Sequence, residues 1–177
     1  MKFIVGLITA VVAIGLIAVL AIVTGAYNIA ATVPHSGFER LILNNAMVYS
    51  VRSHSGPDVA KRWDEEELRE GFQEYNEMCI HCHGAPGKEP SAIGKGLHPE
   101  PPDLTKVPQR WNNAELFWIV KNGIKMTGMP AFGPTHDDDT VWNIVGFVRR
   151  LPGMSAEDYK RMEGQQPAGD PQEHHHH

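Results

Sequence analysis

Apolar residues run almost unbroken from Phe3 to Ala26, FIVGLITAVVAIGLIAVLAIVTGA, and no charged side chain follows Lys2 until Glu39. At about 1.5 Å rise per residue, the roughly 20 residues that cross a ~30 Å hydrocarbon core fit inside this run. It predicts a single membrane-spanning helix. A cleavable secretory signal, cut near Ala26 or Ala30, has an apolar region of only ~7–15 residues and accounts less well for the length. A buried core helix fails as well, because the rest of the chain is too small to enclose a helix that is apolar on every face. Lys2, the one positive charge before the run, favours an N-terminus in the cytoplasm and the remainder outside.

Past the anchor the pattern changes twice. Between Pro34 and Gly56-Pro57, the residues Phe38, Leu41, Ile42, Ala46, Met47, Tyr49 and Val51 recur at mixed helical spacing. They predict an amphipathic helix resting on the membrane surface, on a partner or on its own domain. The stretch WDEEELREGFQEYNEMC is acidic where a helix begins, and sets Leu68, Phe72, Tyr75 and Cys79 on one face at steps of four, three and four. It predicts a helix that ends on a cysteine. Residues 84–108 are rich in proline and glycine and have no period, which predicts a long ordered loop with a function or a bound object to wrap. Helical spacing resumes in AELFWIVK, with Asn112 or Asn113 as N-cap and Gly123 as the residue past its end. After a Gly/Met/Pro loop, Asp137-Asp138-Asp139 opens a last helix, TVWNIVGFVRRL, closed by Arg149, Arg150 and Pro152. With no alternating strand pattern and no repeat, the fold class is all-α. From Gly153 the chain is polar and is expected to be loose, apart from a short helix near Ala156 to Met162. The expected organisation is an anchor at 1–33, an amphipathic connecting segment at 34–62, a globular domain at 63–153 and a flexible tail at 154–177.

Composition narrows the function. The 177 residues carry 21 acidic against 16 basic side chains, a formal net charge of −5, which argues against tracking a polyphosphate backbone and so against nucleic acid as a partner. Four of the ten histidines end the chain at His174 to His177 and read as the remnant of a purification tag, leaving six to explain. The 42% apolar content is inflated by one membrane helix, so the domain's own core is modest. Two cysteines are too few for a disulfide framework.

Those two cysteines sit in C-I-H-C-H, Cys79 to His83. Thiols spaced by two residues reach the two vinyl groups of a haem, and the adjacent imidazole coordinates its iron; C-x-x-C-H is the signature of c-type haem attachment. A thioredoxin-like dithiol needs a βαβ setting that is missing. A closed zinc site would have to borrow His81, His83, His98 or His136. A disulfide between such close neighbours closes too small a loop to matter. For a sixth ligand the loop NGIKMTGMPAFG offers Met129, beside a chain-directing Pro130 and a Gly128 that permits close backbone approach, with Met126 as runner-up. His35, His54, His98 and His136 read as exposed or capping residues.

The acidic helix with Gly71, Tyr75 and C-I-H-C-H-G, the loop T-G-M-P-A-F, and the closing helix with Trp142, Ile144, Phe147 and Leu151 resemble a class I c-type cytochrome domain. The resemblance covers about residues 65–153 and rests on three separated motifs in the family's order. It implies a cytochrome c fold of three to five helices around one haem, with the first and last helices crossing at Gly71 and Tyr75 packed near Ile144 and Phe147. It also implies one haem c bound covalently at Cys79 and Cys82, with His83 and Met129 as axial ligands. Pro101 or Pro102 is similar to the family's proline whose carbonyl holds the proximal imidazole. Together with the N-terminal helix, the chain resembles the membrane-tethered monohaem cytochromes of bacterial respiratory chains.

The expected function follows. With both axial positions filled the iron has no open site, so the chain is expected to be no enzyme but a one-electron carrier. Attachment of this kind occurs, by the family resemblance, outside the bacterial inner membrane, which places the haem domain in the periplasm on a single-pass anchor. The partners implied are redox proteins: a quinol-oxidising complex, a dehydrogenase or a terminal oxidase. The alternative is a fixed cytochrome subunit of a larger membrane oxidoreductase, docked through residues 34–62. A haem-based sensor would need an iron site that opens.

Overall fold

The computed structural model describes residues 2–106 and 110–165. Among them every regular element is helical, apart from an isolated antiparallel bridge between Ala85 and Lys88. The chain divides after Pro34 into two compact units.

The first unit is built on α1 (Lys2–Val23), with no buried residue and a mean hydropathy of 2.9. By length and composition it is a candidate membrane span near the N-terminus. Its Thr9 hydroxyl, and that of Thr24 just beyond it, return their protons to carbonyls one turn back, at Val5 (2.9 Å) and Leu20 (2.7 Å), so neither needs water.

The second unit begins with α2 (Gly37–His54). Ser36 caps it in a box with Glu39, each side chain taking the other's backbone N–H. The same device starts α3 (Glu65–Glu74) at Asp64 with Glu67, and α6 (Asn113–Asn122) at Asn112 with Glu115. Asn112, rather than Asn113, is thus the N-cap. The freed Asn113 side chain donates to the Val59 carbonyl at 2.8 Å and accepts from Arg149 Nε at 2.8 Å. α3 runs through a π turn (Tyr75–Cys79) into α4 (Ile80–His83), so the expected cysteine-bearing helix is present with one widened turn. α5 (Ala92–Lys95) is a single turn inside the proline-rich loop, of which residues 107–109 lie outside the described residues. α7 (Asp138–Arg150) starts on Asp137, whose carboxylate accepts from Thr140 N–H at 2.8 Å.

The centre of this unit is the crossing of α3 and α7. At Gly71 a Cβ would sit 2.0 Å from the Asn143 carbonyl oxygen, so only glycine lets the two backbones meet. Gly146 gives the Trp63 indole the same clearance, and that indole's Nε1–H donates to the Trp142 carbonyl at 2.8 Å. Around the crossing lie the fully buried Phe72, Tyr75, Val141, Ile144, Val145, Phe147 and Leu151. The larger of these each contribute about 1.5–3 kcal/mol on burial. Tyr75 packs on Phe147 with ring centres 5.2 Å apart, as the resemblance implies.

Two expected boundaries do not hold. The segment 34–62 is not merely a connector: Val48 and Val51 belong to the same core, and Arg52 Nε lies 3.6 Å from the buried Glu115 carboxylate. The short helix expected near Ala156 to Met162 is present as α8 (Ala156–Gly164), N-capped by Ser155, and it interrupts the tail expected to be flexible from 154. Its Tyr159 is fully buried, edge-on to Phe72 at 5.3 Å, with its hydroxyl donating to Asn76 Oδ1 at 3.0 Å. One aromatic anchor and a cap hold a helix whose other residues are largely polar. The rest of that tail, with the tag remnant, lies outside the described residues.

Candidate functional site

Cys79 closes the π turn, and Cys82 and His83 follow in α4. The widened turn is a feature that occurs frequently at functional sites. Both cysteines are free and half-buried. Burial pushes the Cys79 thiol up to about 12, with the nearby Glu74 and Cys82 adding to it, so it stays protonated near neutral pH.

The backbone beneath the motif is fixed from three directions. The buried Tyr75 hydroxyl donates to the Gly84 carbonyl at 2.7 Å, one residue past His83. Ser91 donates to the His81 carbonyl through both its N–H (2.9 Å) and its hydroxyl (2.8 Å). Gly94, in α5, lies so close that a Cβ there would sit 2.5 Å from that carbonyl and 2.9 Å from Cys82 Cα. The long loop therefore wraps back onto C-I-H-C-H.

That loop also supplies the partner of the imidazole. His83 Nδ1 lies 2.9 Å from the Pro102 carbonyl oxygen, so Nδ1 carries the proton and donates. Between the two prolines left open by the sequence, the structure selects Pro102. Burial lowers the His83 pKa, outweighing the opposing hydrogen bond to Pro102, which favours the neutral ring. In that tautomer Nε2 keeps its lone pair free, as in metal-ligating histidines whose other ring nitrogen donates to a carbonyl. The turn after Pro102 is held by Asp103, whose carboxylate accepts from Thr105 N–H (2.9 Å) and Thr105 Oγ1 (2.6 Å) and pairs with Lys106 (2.8 Å). These bonds, the Lys106 one foremost, depress its pKa to about 2.

Met129 packs half-buried against the same hydrophobic core as Cys79 and Ile80. Its loop is tied: Met129 N–H donates to Thr127 Oγ1 (3.1 Å), which donates to the Ile124 carbonyl (2.7 Å), and Ile124 N–H returns to Met129 O (3.3 Å). Met126 is 75% exposed at a positive φ of 64°, which leaves Met129 the better-placed thioether. Gly128 serves a purpose the sequence did not reveal, since a Cβ there would strike the Leu97 side chain at 2.5 Å. The Met129 loop and the loop from α4 thus meet directly.

Among the other histidines, His136 departs from the exposed reading. Its Nε2 lies 3.4 Å from the Glu74 carboxylate, and the ring packs edge-on to Phe132 at 5.6 Å. Among the described residues no cluster of three or more His, Cys, Asp or Glu side chains could hold a metal ion. The two cavities described lie between α3 and α8 and beside the α7–α8 turn, and are lined by none of Cys79, Cys82, His83 or Met129.

The donor set is two thiols one helical turn apart, an imidazole with one nitrogen fixed by a carbonyl, and a half-buried thioether from another loop. In its donor chemistry this set fits a haem. Residues 66–148 match the family model described as "Cytochrome C oxidase, cbb3-type, subunit III". No curated protein matches the chain.

Proposed function

With residues 66–148 a c-type cytochrome domain, we propose that the chain is a membrane-anchored, periplasmic, monohaem carrier of single electrons in a respiratory chain. The observation that carries the reading is the His83–Pro102 hydrogen bond, which orients the imidazole before any metal is considered. Cys79 and Cys82 would hold the haem covalently, and His83 and Met129 would fill its axial positions. Bound there, haem supplies a reversible one-electron iron couple, with a potential raised by methionine ligation. Pro102 holds the Nδ1 proton, so Nε2 keeps its lone pair for the ligand bond. The hydrogen-bonded turn at Thr127 fixes the backbone that carries the Met129 side chain. With both axial positions taken, no site remains for a substrate, and the chain passes electrons between redox proteins such as a quinol-oxidising complex, a dehydrogenase or a terminal oxidase.

A pyridine haemochrome spectrum of the denatured protein tests this directly. One haem per chain that resists acid-acetone extraction, and is lost in Cys79→Ala/Cys82→Ala, is the expected result; extractable haem or none refutes it.

A second reading has a specific observation in its favour: the matching family model describes a subunit of an oxidase. In that reading the chain is a fixed cytochrome subunit of a larger membrane oxidoreductase. A carrier purifies alone from solubilised membranes, whereas a subunit copurifies with stoichiometric partners.

A further inference from the structure

We propose that the outward face of α2 lies in the headgroup region of a lipid bilayer and holds the domain against the membrane; this rests on α1 being a membrane anchor. α2 is apolar on two sides. Val48 and Val51 are buried in the core, while Phe38, Ile42 and Tyr49 are 71%, 50% and 69% exposed. At 100° per residue these three fall within about 40° of one another around the helix, a continuous stripe. Leu41 widens it at the N-terminal end, at 61% exposed. Two polar residues fall within the widened stripe: Asn45 donates its side-chain N–H to the Leu41 carbonyl at 2.7 Å, and Arg52 turns to the Glu115 carboxylate at 3.6 Å.

Two observations select lipid as the occupant. The first is continuity with the anchor. Residues 24–36 contain no charged side chain, and Tyr27, Ile29 and Val33 are all exposed. This linker carries apolar side chains from the candidate span to α2, over at most ~45 Å even if fully extended. The second is charge. Residues 34–62 hold Arg40, Arg52, Lys61 and Arg62 against Glu39 and Asp58, four minus two, a net of +2 within a chain of net −5. Arg52 and Lys61 reach Glu115 and Glu67, while Arg40, on the side of α2 away from the stripe, and Arg62, past its end, are exposed, so the charge acts through the field of the segment and not through contacts of the stripe. A basic segment with an aromatic and aliphatic stripe suits an anionic interface, where the Tyr49 hydroxyl keeps access to headgroups and water. The acidic remainder of the domain is repelled from the same surface.

The test uses the full-length, haem-loaded chain in vesicles of phosphatidylcholine, alone or with one-third phosphatidylglycerol. Nitroxide labels go on Ile42→Cys, on Tyr49→Cys and, as control, on Glu157→Cys in the exposed side of α8. The readout is the ratio of collisions with lipid-soluble oxygen to those with a water-soluble nickel chelate. In anionic vesicles a several-fold higher ratio at 42 and 49 than at 157 is expected, falling at about 1 M salt, where the screening length shrinks to ~3 Å. Equal ratios at all three sites overturn the proposal. Spin–spin broadening that grows with protein density identifies a second copy as the occupant, and protection found only in native membranes identifies a protein partner; either overturns it. An alkaline carbonate wash separates the two levels of inference. A chain washed off the vesicles refutes the anchor, and the proposal with it. A chain retained with water-exposed labels refutes the α2 contact alone.

Discussion

Alanine in place of Gly71 adds one methyl group where there is no room for it. The new Cβ would sit 2.0 Å from the Asn143 carbonyl oxygen and 2.5 Å from its carbon, both backbone atoms that cannot rotate away. Relief requires α3 and α7 to separate by about 1.5 Å locally to reach the ~3.5 Å at which such atoms cease to repel. A gap of 0.5–1 Å already forfeits a quarter to a half of the dispersion between facing groups, and here those groups include Phe72 and Phe147, edge-on at 5.3 Å. Overpacking of this kind costs about 3 kcal/mol, at the upper end of the usual range because backbone meets backbone. Alanine's better helix propensity returns about 0.5–1 kcal/mol. A net loss of roughly 2 kcal/mol or more lowers the folding equilibrium by about 30-fold or more and the melting temperature by roughly 5–10 °C. Thermal unfolding of the haem-loaded protein followed by far-UV circular dichroism reads this. Gly164→Ala, with nothing within 4 Å, is the control and should leave the melting temperature nearly unchanged. A Gly71→Ala variant that melts within a degree or two of the parent would mean that α3 and α7 do not cross here.

Other predictions concern the site. Met129→Ala should abolish the sulfur-to-iron charge-transfer band of the ferric protein and Met126→Ala should keep it, the reverse outcome assigning the ligand to Met126. Tyr75→Phe leaves the Gly84 carbonyl without its buried donor and should cost about 1–3 kcal/mol in a urea titration; no loss would mean that the carbonyl finds another partner. Asp103 has a folded pKa near 2, below its ordinary 3.8, so its contribution is present above pH ~4 and is lost as pH falls toward about 2. Parent and Asp103→Asn should therefore differ in urea midpoint at pH 5 and converge near pH 2, the difference staying below ~1 kcal/mol because the carboxylate is largely solvated. A constant difference across that range would exclude this carboxylate as its source.

The exposed face of α2 bears on both functional readings. If it rests on lipid, the domain meets its redox partners from a constrained height and orientation rather than at the end of a free tether. A fixed subunit would present the same face to protein instead, so the labelled positions also discriminate between a carrier and a complex.

The elements legible in the sequence are those whose signals are local. An unbroken apolar run is a lipid-compatible helix wherever it sits, and Asp64, Asn112 and Asp137 cap helices through side chains only three residues from their partners. The C-I-H-C-H spacing was likewise complete within five residues. Tertiary structure decided whatever depended on two distant segments meeting. Pro102 rather than Pro101 faces His83 because a loop of some twenty residues closes that way. Gly128 makes room for Leu97, a contact that no local pattern announces. Tyr159 holds α8 because Phe72 and Phe147 leave a place for its ring, which a polar C-terminal stretch does not announce. Nor could periodicity sort the mixed apolar positions of α2, since the helix has two apolar faces and only packing assigns Val48 and Val51 to the core and leaves Phe38, Ile42 and Tyr49 outside. Short-range hydrogen bonds and composition are written residue by residue, whereas close packing is a property of pairs that the chain brings together only by folding.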